Sequence, residues 1–417
     1  MLALACCTSC GKPDNTPDNQ EPISSADQAL NAVPIWSDPS GSQTITQTAG
    51  TTLTLNGAVK STGSFNPKVL SGVTVVDQLA SAGNGTSGSP WAGWEASVNA
   101  LPAGMEIYFP AGYYTQSATI QTKKGWIIRG AGSDATVITS SSSFAGDAIQ
   151  SISPYNGTNG IRLLVQDLRL VSTNGSPTGA GIDIVAGTFV NIKRVIVYNY
   201  KYGVVLDQAE LADIEECEFG FSIAGAVAGV WVVNNAEHQN QHVSGVPLSP
   251  TALAGFTNRI GIRKTQFDSV NAIGIMDDGG YTHVFDDNNF NGGTNALYLA
   301  GVIAGRVTGS EMESQSSASI VSTYLTAQGG ASGPGQNLGL HIADNTIASG
   351  SHNAIQFANG SPVTLVNNMV SSSVTAFVGL GNVHHLTALG NGQSGPARFM
   401  TPVRKSGSFR TALLACK

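Results

Sequence analysis

An apolar–x–x–small–x–apolar motif returns along the second half of the chain at a spacing that few folds can use. It begins at Ile192, Ile214, Ile262, Phe285, Val307, Ile342 and Leu365, and four of the six steps are 22 or 23 residues. The two longer steps, 48 and 35 residues, contain polar stretches around 235–258 and 325–338 that read as loops inserted into the repeat. Five positions after each start stands a second apolar residue: Val197, Phe219, Phe267, Phe290, Met312, Ile347 and Val370. A further apolar patch follows at Val204, Ile273, Leu297, Ile320, Ile355 and Phe377, each preceded by a small residue (Gly203, Ala272, Ala296, Ser319, Ala354, Ala376). Self-similarity at a fixed period of this length marks a stacked solenoid.

The residues choose among solenoids. A leucine-rich repeat would place Asn eight residues after the start, where this chain has Tyr200, Ser222, Val270, Gly293 and Gln315. The return segments are short and rich in Val, Ile and Gly, which suits strands rather than helices. Asn stands instead three residues after the start, at Asn288, Asn345 and Asn368, where stacked coils can bond such side chains into an inward ladder. The expected fold is all-β: a single-stranded, right-handed parallel β-helix of about ten or eleven coils, the hand following from the general preference of parallel connections. Fifty glycines and only 11% charged residues suit tight turns, while 41% hydrophobic content excludes disorder for the body of the chain.

The two residues after each start alternate in sign: Lys193-Arg194, Glu215-Glu216, Arg263-Lys264, Asp286-Asp287. This reads as a solvated charge ladder that fixes register more than it stabilises.

The chain divides into a signal-like segment and linker (1–33), a small β segment (34–72), the solenoid (73–395) and a tail (396–417). The start, MLALACCTSCGKPDNTPDNQ, is similar to the end of a bacterial lipoprotein signal, with Cys6 or Cys7 as the lipidated residue. That implies a secreted or cell-envelope protein tethered to a membrane by lipid. Cys7 and Cys10 form one CxxC with no second pair to complete a zinc site, so no metal is expected. Cys217 falls on an inward position, as a packed thiol. Ile45, Leu53 and Leu55 suggest a strand pair in the small segment. Trp91, Trp94, Val98 and Leu101 lie on one helical face, with Ser89 as N-cap and Pro90 at the first helical position. A solenoid end exposes core and strand edge, so this helix is expected to cap it.

Around that helix the chain resembles the pectate-lyase superfamily of β-helix domains, which includes rhamnogalacturonases, epimerases and tailspikes. The match is carried by VTVVDQLASAGNGTSG, by Tyr108-Phe109-Pro110-Ala111-Gly112-Tyr113-Tyr114 and by Ile128-Arg129-Gly130-Ala131-Gly132, and it spans roughly 73–390. The usual acidic residue before the helix is replaced by Ser and Gly. The resemblance implies the fold and a carbohydrate-active protein: a glycoside hydrolase or polysaccharide lyase, a non-catalytic adhesin, or a trimeric phage-type tailspike. Hydrolysis needs no cofactor; a lyase would bring in calcium.

Two outward columns follow from the repeat. Four residues after each start the chain reads Ile196, Glu218, Gln266, Asn289, Glu311, Thr346 and Met369; six after, Tyr198, Gly220, Asp268, Asn291, Glu313, Ala348 and Ser371. Acids and amides without compensating bases suit sugar hydroxyls and proton transfer. Asp268 and Glu313 stand two coils apart, ~9–10 Å between backbones at the ~4.8 Å strand spacing, near the carboxylate separation of an inverting glycosidase. Glu313 is the expected general acid, with Glu311 beside it to raise its pKa, and Asp268 the base acting through a water. Glu313 also falls at the Glu of a tailspike-like "CxFE" coil. Gln266, Asn289, Asn291, Glu218, Asp277 and Asp278 are the expected substrate-binding residues. No Arg stands with an Asp cluster as a calcium-dependent pectate lyase requires, and the paired-Asp and Gly-His-Gly signatures of polygalacturonases are missing beyond a faint echo at Gly350-Ser351-His352-Asn353. His238 and His242 lie in a polar loop with no helix to aim them at a metal. A net charge of −7 excludes a nucleic-acid partner and favours a neutral polysaccharide over a polyanion.

Overall fold

The computed structural model describes residues 82–152, 161–233, 257–323, 337–348, 352–371 and 378–393, apart from four single positions, with short strands at 32–37, 44–48, 72–74 and 401–402. The lipoprotein-like cysteines, Cys416, Leu53, Leu55, His238, His242, Gly350, Ser351, Ala376 and Phe377 lie outside these residues, as do 234–256 and 324–336, most of the two inserted loops. The chain forms two units, Met1–Ser64 and Phe65–Lys417. In the first, Ala32–Ser37 pairs antiparallel with Thr44–Thr48.

The second unit is a parallel β-helix whose coils contribute strands to three stacks. Each motif start pairs with the next: Ile192 with Ile214, Ile214 with Ile262, Ile262 with Phe285, and on through Val307 and Ile342 to Leu365. Upstream the same column continues through Ile107, Ile128 and Val165, so the period extends into coils where the motif is weak. The companion residues form the second stack, Val197 on Phe219, then Phe267, Phe290, Met312, Ile347 and Val370. The third stack is an 11-stranded sheet. The inserted loops are absorbed because the register resumes on their far side: Ile214 meets Ile262 and Val307 meets Ile342 with no slip.

The bend between the first two stacks has a repeated cause. The second residue after each start adopts positive φ, as at Arg194 (51°), Glu216 (56°), Lys264 (51°), Asp287 (55°), Asp344 (58°) and Asn367 (52°). This turns the next residue inward. There Thr265 N–H donates to Asn288 Oδ1 (3.1 Å), Asn288 N–H to Ser310 Oγ (3.2 Å), and Ser310 N–H to Asn345 Oδ1 (3.0 Å). Asn345 N–H and Asn368 N–H continue the series to Asn368 and Asn391 (3.2 and 3.0 Å). The expected ladder is present and longer than the asparagines alone, since Ser310 and Thr265 serve as rungs. Such bonds satisfy backbone groups that the bend removes from the sheets. Cys217 occupies a rung as a buried free thiol, its pKa pushed up to about 12 by burial.

Inside the coil, bulk in the second stack is matched by absence of bulk in the third. Phe219, Phe267 and Phe290 stack with centroids 5.3 and 4.7 Å apart. A Cβ at Gly203, Gly229 or Gly274 would stand 2.4–2.5 Å from the ring of Phe219, Phe267 or Phe290 respectively. The aromatic column therefore requires a glycine column facing it. This corrects one reading: Ile273 pairs with Ala228 in a neighbouring column, so Ile273 and Ala272 are not the inward apolar residue and its small predecessor. Val230 pairs with Ile275, and Ile275 with Leu297, so Ile275 is the inward apolar residue and Gly274 the small one before it.

The capping helix runs from Glu95 to Ala100, five residues later than Pro90, with Trp94 as N-cap and no side-chain cap. Ser89 is held in a turn with Thr86, and Trp91 bridges to Tyr114 as a strand residue, so the chain enters the cap extended. Trp94 and Val98 are fully buried, and Trp91 and Leu101 pack against the core. Trp94, Phe109 and Tyr114 meet edge to face at 5.2–6.4 Å. Tyr114 donates to Pro110 O (2.8 Å), which shows the Tyr-Phe-Pro segment acting as the seat of the cap.

The charge ladder is only partly paired. Lys193 bonds Glu215 (2.9 Å) and Arg194 bonds Asp167 on the preceding coil. Arg263 turns back to Asp213 rather than to Glu215.

Candidate functional site

Both outward columns of the second stack exist as read. Ile196, Glu218, Gln266, Asn289, Glu311, Thr346 and Met369 pair in succession, and so do Tyr198, Gly220, Asp268, Asn291, Glu313 and Ala348. Alternation across the pleat places Glu311 and Glu313 on the outer face with Met312 buried between them. Both carboxylates are exposed, as are Asn289, Asn291 and Gln266. Asp268 is half-buried: Gln266 Nε2 donates to its Oδ2 (2.6 Å), while Oδ1 is shielded from solvent without a hydrogen-bond partner. Tyr198 donates its hydroxyl to Glu218, and its pKa is pushed up to about 12, first by burial and then by that carboxylate. Asp268, Gln266, Asn291 and Tyr198 line one open cleft of about 580 Å³, from which Glu311 and Glu313 are absent.

Asp277 and Asp278 lie elsewhere, at the end of the third-stack strand Ile273–Asp278. Asp277 is wholly buried, which removes it from a substrate-contacting role. It faces inward, bonded to His283 Nδ1 (2.7 Å) and accepting Gly279 N–H (3.2 Å), with His283 equally buried. Asp278 faces outward. Its Oδ2 accepts a hydrogen bond from Trp231 Nε1 (2.7 Å), and its pKa is raised to about 6, mainly by burial and partly by Asp277. Trp231 stacks on Tyr202 with centroids 4.9 Å apart and planes 22° apart, and the Lys201 ammonium lies 5.3 Å from the Tyr202 ring centre. Register places Asp207, Val233 and Asp278 in one outward column, so two aspartates stand two rungs apart here as well. Asp207 is fully buried.

Tyr202 and Trp231 escaped the sequence reading. The second and third stacks are joined by turns of unequal length: Val204 stands 12 residues after its motif start but Val230 stands 16 after its own. Counting from the start therefore loses the column. An apolar-aromatic alternation, Val230-Trp231-Val232, was the available signal.

The family model for "Rhamnogalacturonase A/epimerase, pectate lyase-like" matches residues 96–298. Those residues wind through the same three-stack coil with its inward ladder. Over these residues the chain is similar to the pectate-lyase-like superfamily of parallel β-helices. The matched residues include Asp207, Trp231, Asp268 and Asp278 and end before Glu311 and Glu313. Among solved structures, the Streptococcus pneumoniae surface adhesin PfbA superposes with a TM-score of 0.52 at 11% identity, over 75% of this chain and 91% of PfbA. The Yersinia enterocolitica family 28 exopolygalacturonase gives 0.44 at 9% identity, over 74% and 73%. Geobacillus virus E2 ORF18 gives 0.40 at 12% identity, over 74% of this chain, which spans only 56% of that protein. At these identities the likeness is one of fold. No curated protein matches the chain by sequence.

Proposed function

We propose that this protein cleaves a polysaccharide laid across the outer face of the third stack, with Asp278 as the proton-transfer residue. The observation that carries the reading is the state of Asp278: a recessed carboxyl, beside an indole–phenol stack, raised to about 6. Near neutral pH such a group holds enough proton to donate and is basic enough to accept, the property that general acid–base catalysis selects. In hydrolysis Asp278 gives its proton to the leaving glycosidic oxygen as the anomeric C–O bond breaks, and water supplies the new hydroxyl and releases its other proton to solvent, from which Asp278 is reprotonated. The Tyr202–Trp231 pair offers a flat apolar wall for a sugar ring. The family description, with its rhamnogalacturonase and epimerase members, agrees with a carbohydrate substrate. The exposed Glu311 and Glu313 lack comparable shielding, so the role first read for them passes to Asp278. Hydrolysis by this route asks for no cofactor, and a polysaccharide substrate fits an extracellular or cell-envelope setting.

A panel of neutral and uronate polysaccharides tests this, read both for new reducing ends and for absorbance of unsaturated products. Wild type should release reducing ends without the absorbance, Asp278→Asn should abolish the release, and Glu313→Gln should retain it. Absorbance would make the enzyme a lyase. Loss in Glu313→Gln with retention in Asp278→Asn would move catalysis to the second stack. Saturable binding without any product would make the protein a glycan-binding adhesin.

A further inference from the structure

The cleft on the second stack remains unused by that mechanism, and its construction is specific. Gly220 forms its floor between Tyr198 and Asp268 in the column, and a Cβ there would stand 2.4 Å from the Tyr198 ring, so the ring lies down over the glycine. The hydroxyl of Tyr198 is tied to Glu218, which holds the ring in that position. Across from it, Asn199 is fixed at positive φ (59°), and its Oδ1 accepts both Ser222 N–H and Ser222 Oγ–H at 3.0 Å. Asp268 spends one oxygen on Gln266 and has the other, Oδ1, shielded and unpartnered. A shielded carboxylate oxygen without a donor is costly, and a small turn about Cβ–Cγ would present it to the cleft.

We propose that this cleft is a second glycan-binding site, on a different face from Asp278, that takes a neutral oligosaccharide segment. The chemistry selects the ligand class. Asp268 supplies a strong acceptor for a sugar hydroxyl, the exposed amides of Gln266 and Asn291 supply donors and acceptors beside it, and Tyr198 supplies an apolar surface. No Lys or Arg lines the cleft, and Arg169, 5.7 Å from the Tyr198 ring centre, is paired with Asp134, so a uronate would meet Asp268 with little compensation. Its volume of about 580 Å³ falls within the ~300–1,000 Å³ of small-ligand sites. The inference holds whether or not Asp278 is the catalytic group, because it rests on side chains of another stack. With both sites occupied, the protein would hold two segments of glycan at once.

The test uses the full chain carrying Asp278→Asn, titrated calorimetrically with gluco-, galacto- and manno-configured tetrasaccharides and with tetragalacturonate. Hydrogen–deuterium exchange of the same mixtures locates the bound sugar. Saturable binding of a neutral tetrasaccharide is expected, with protection at 198–222 and 266–292. Asp268→Asn should weaken it at least ~10-fold, the loss expected of one charge-assisted hydrogen bond. Asn291→Ala, an exposed change that leaves the core intact, should weaken it less. Binding that ignores both substitutions, protection confined to 202–233 and 273–278, preference for tetragalacturonate, or no saturable binding by any neutral tetrasaccharide would each overturn the proposal.

Discussion

The outer faces of the second and third stacks carry acids in the same arrangement, but the acids differ in how far they are buried. On each face two carboxylates stand in one column two rungs apart: Asp268 and Glu313 on the second, Asp207 and Asp278 on the third. The second face is open, with Glu311 and Glu313 exposed to solvent. On the third, burial and, less strongly, the charge of Asp277 raise Asp278 to about 6 against the lowering hydrogen bond from Trp231. Spacing of acids along a β-helix is thus a poor guide to catalysis, because the fold repeats spacing everywhere. What differs is depth: on the second face Asp268 is half-buried and Glu313 exposed, whereas on the third Asp207 is fully buried and burial raises Asp278.

Four outcomes would break or sharpen that contrast. The largest concerns the core both faces share. Phe267→Ala removes the centre of the aromatic stack behind both faces and should cost about 3–5 kcal/mol in denaturant unfolding. Gly229→Ala, which drives a methyl into the same ring, should cost a further readable 1–3 kcal/mol on its own. If either change altered only one face, measured by local hydrogen exchange, the two could not be treated as sides of one rigid coil.

Next comes chemistry. Asp278→Asn should lower kcat by ~100-fold or more, the contribution of a positioned acid or base, while Glu313→Gln changes it little. The pH profile sharpens this. A general acid must be protonated, so kcat/KM should fall as pH rises through about 6.

The smallest effect is on stability, and its sign runs opposite to an ion pair. Asp278 is harder to ionise in the folded chain than in the unfolded one, so the folded state binds the extra proton between the ordinary carboxylate range and about 6. Stability is therefore lost as pH rises through that window. Asp278→Asn, which keeps an acceptor for Trp231, should stabilise the protein by roughly 1–3 kcal/mol at pH 8 and by nothing below pH ~4. A destabilising effect at pH 8 would show that the ionised carboxyl is held by favourable contacts instead.

The sequence was most legible where the physics is periodic. Ile192 through Leu365 mark the first stack because one buried residue per coil is obligatory, and Asn345 and Asn368 mark the bend because a tight turn needs its backbone bonded. Legibility failed beyond the variable turns. Counting placed Ile273 where Ile275 belongs, and left Trp231 and Tyr202 without a column to join. The helix began late because Trp91 was drawn into a strand bridge with Tyr114, a tertiary pairing no local cap can announce. Asp278 was named among the candidates, but its distinction from Glu313 rests on tertiary burial, and its hydrogen-bond partner Trp231 stands 47 positions away.

Burial, acting against the hydrogen bond from Trp231, sets Asp278 apart from an ordinary surface carboxylate. The most direct measurement is a carbon-13 NMR titration of the aspartate carboxyls, with Asp278 assigned by its absence in Asp278→Asn. A midpoint near 6 that rises further when Trp231 is replaced by Phe, which keeps a ring beside the carboxyl and removes the hydrogen bond that favours its charged form, would bear the account out. A midpoint near 4 in the wild type would contradict it.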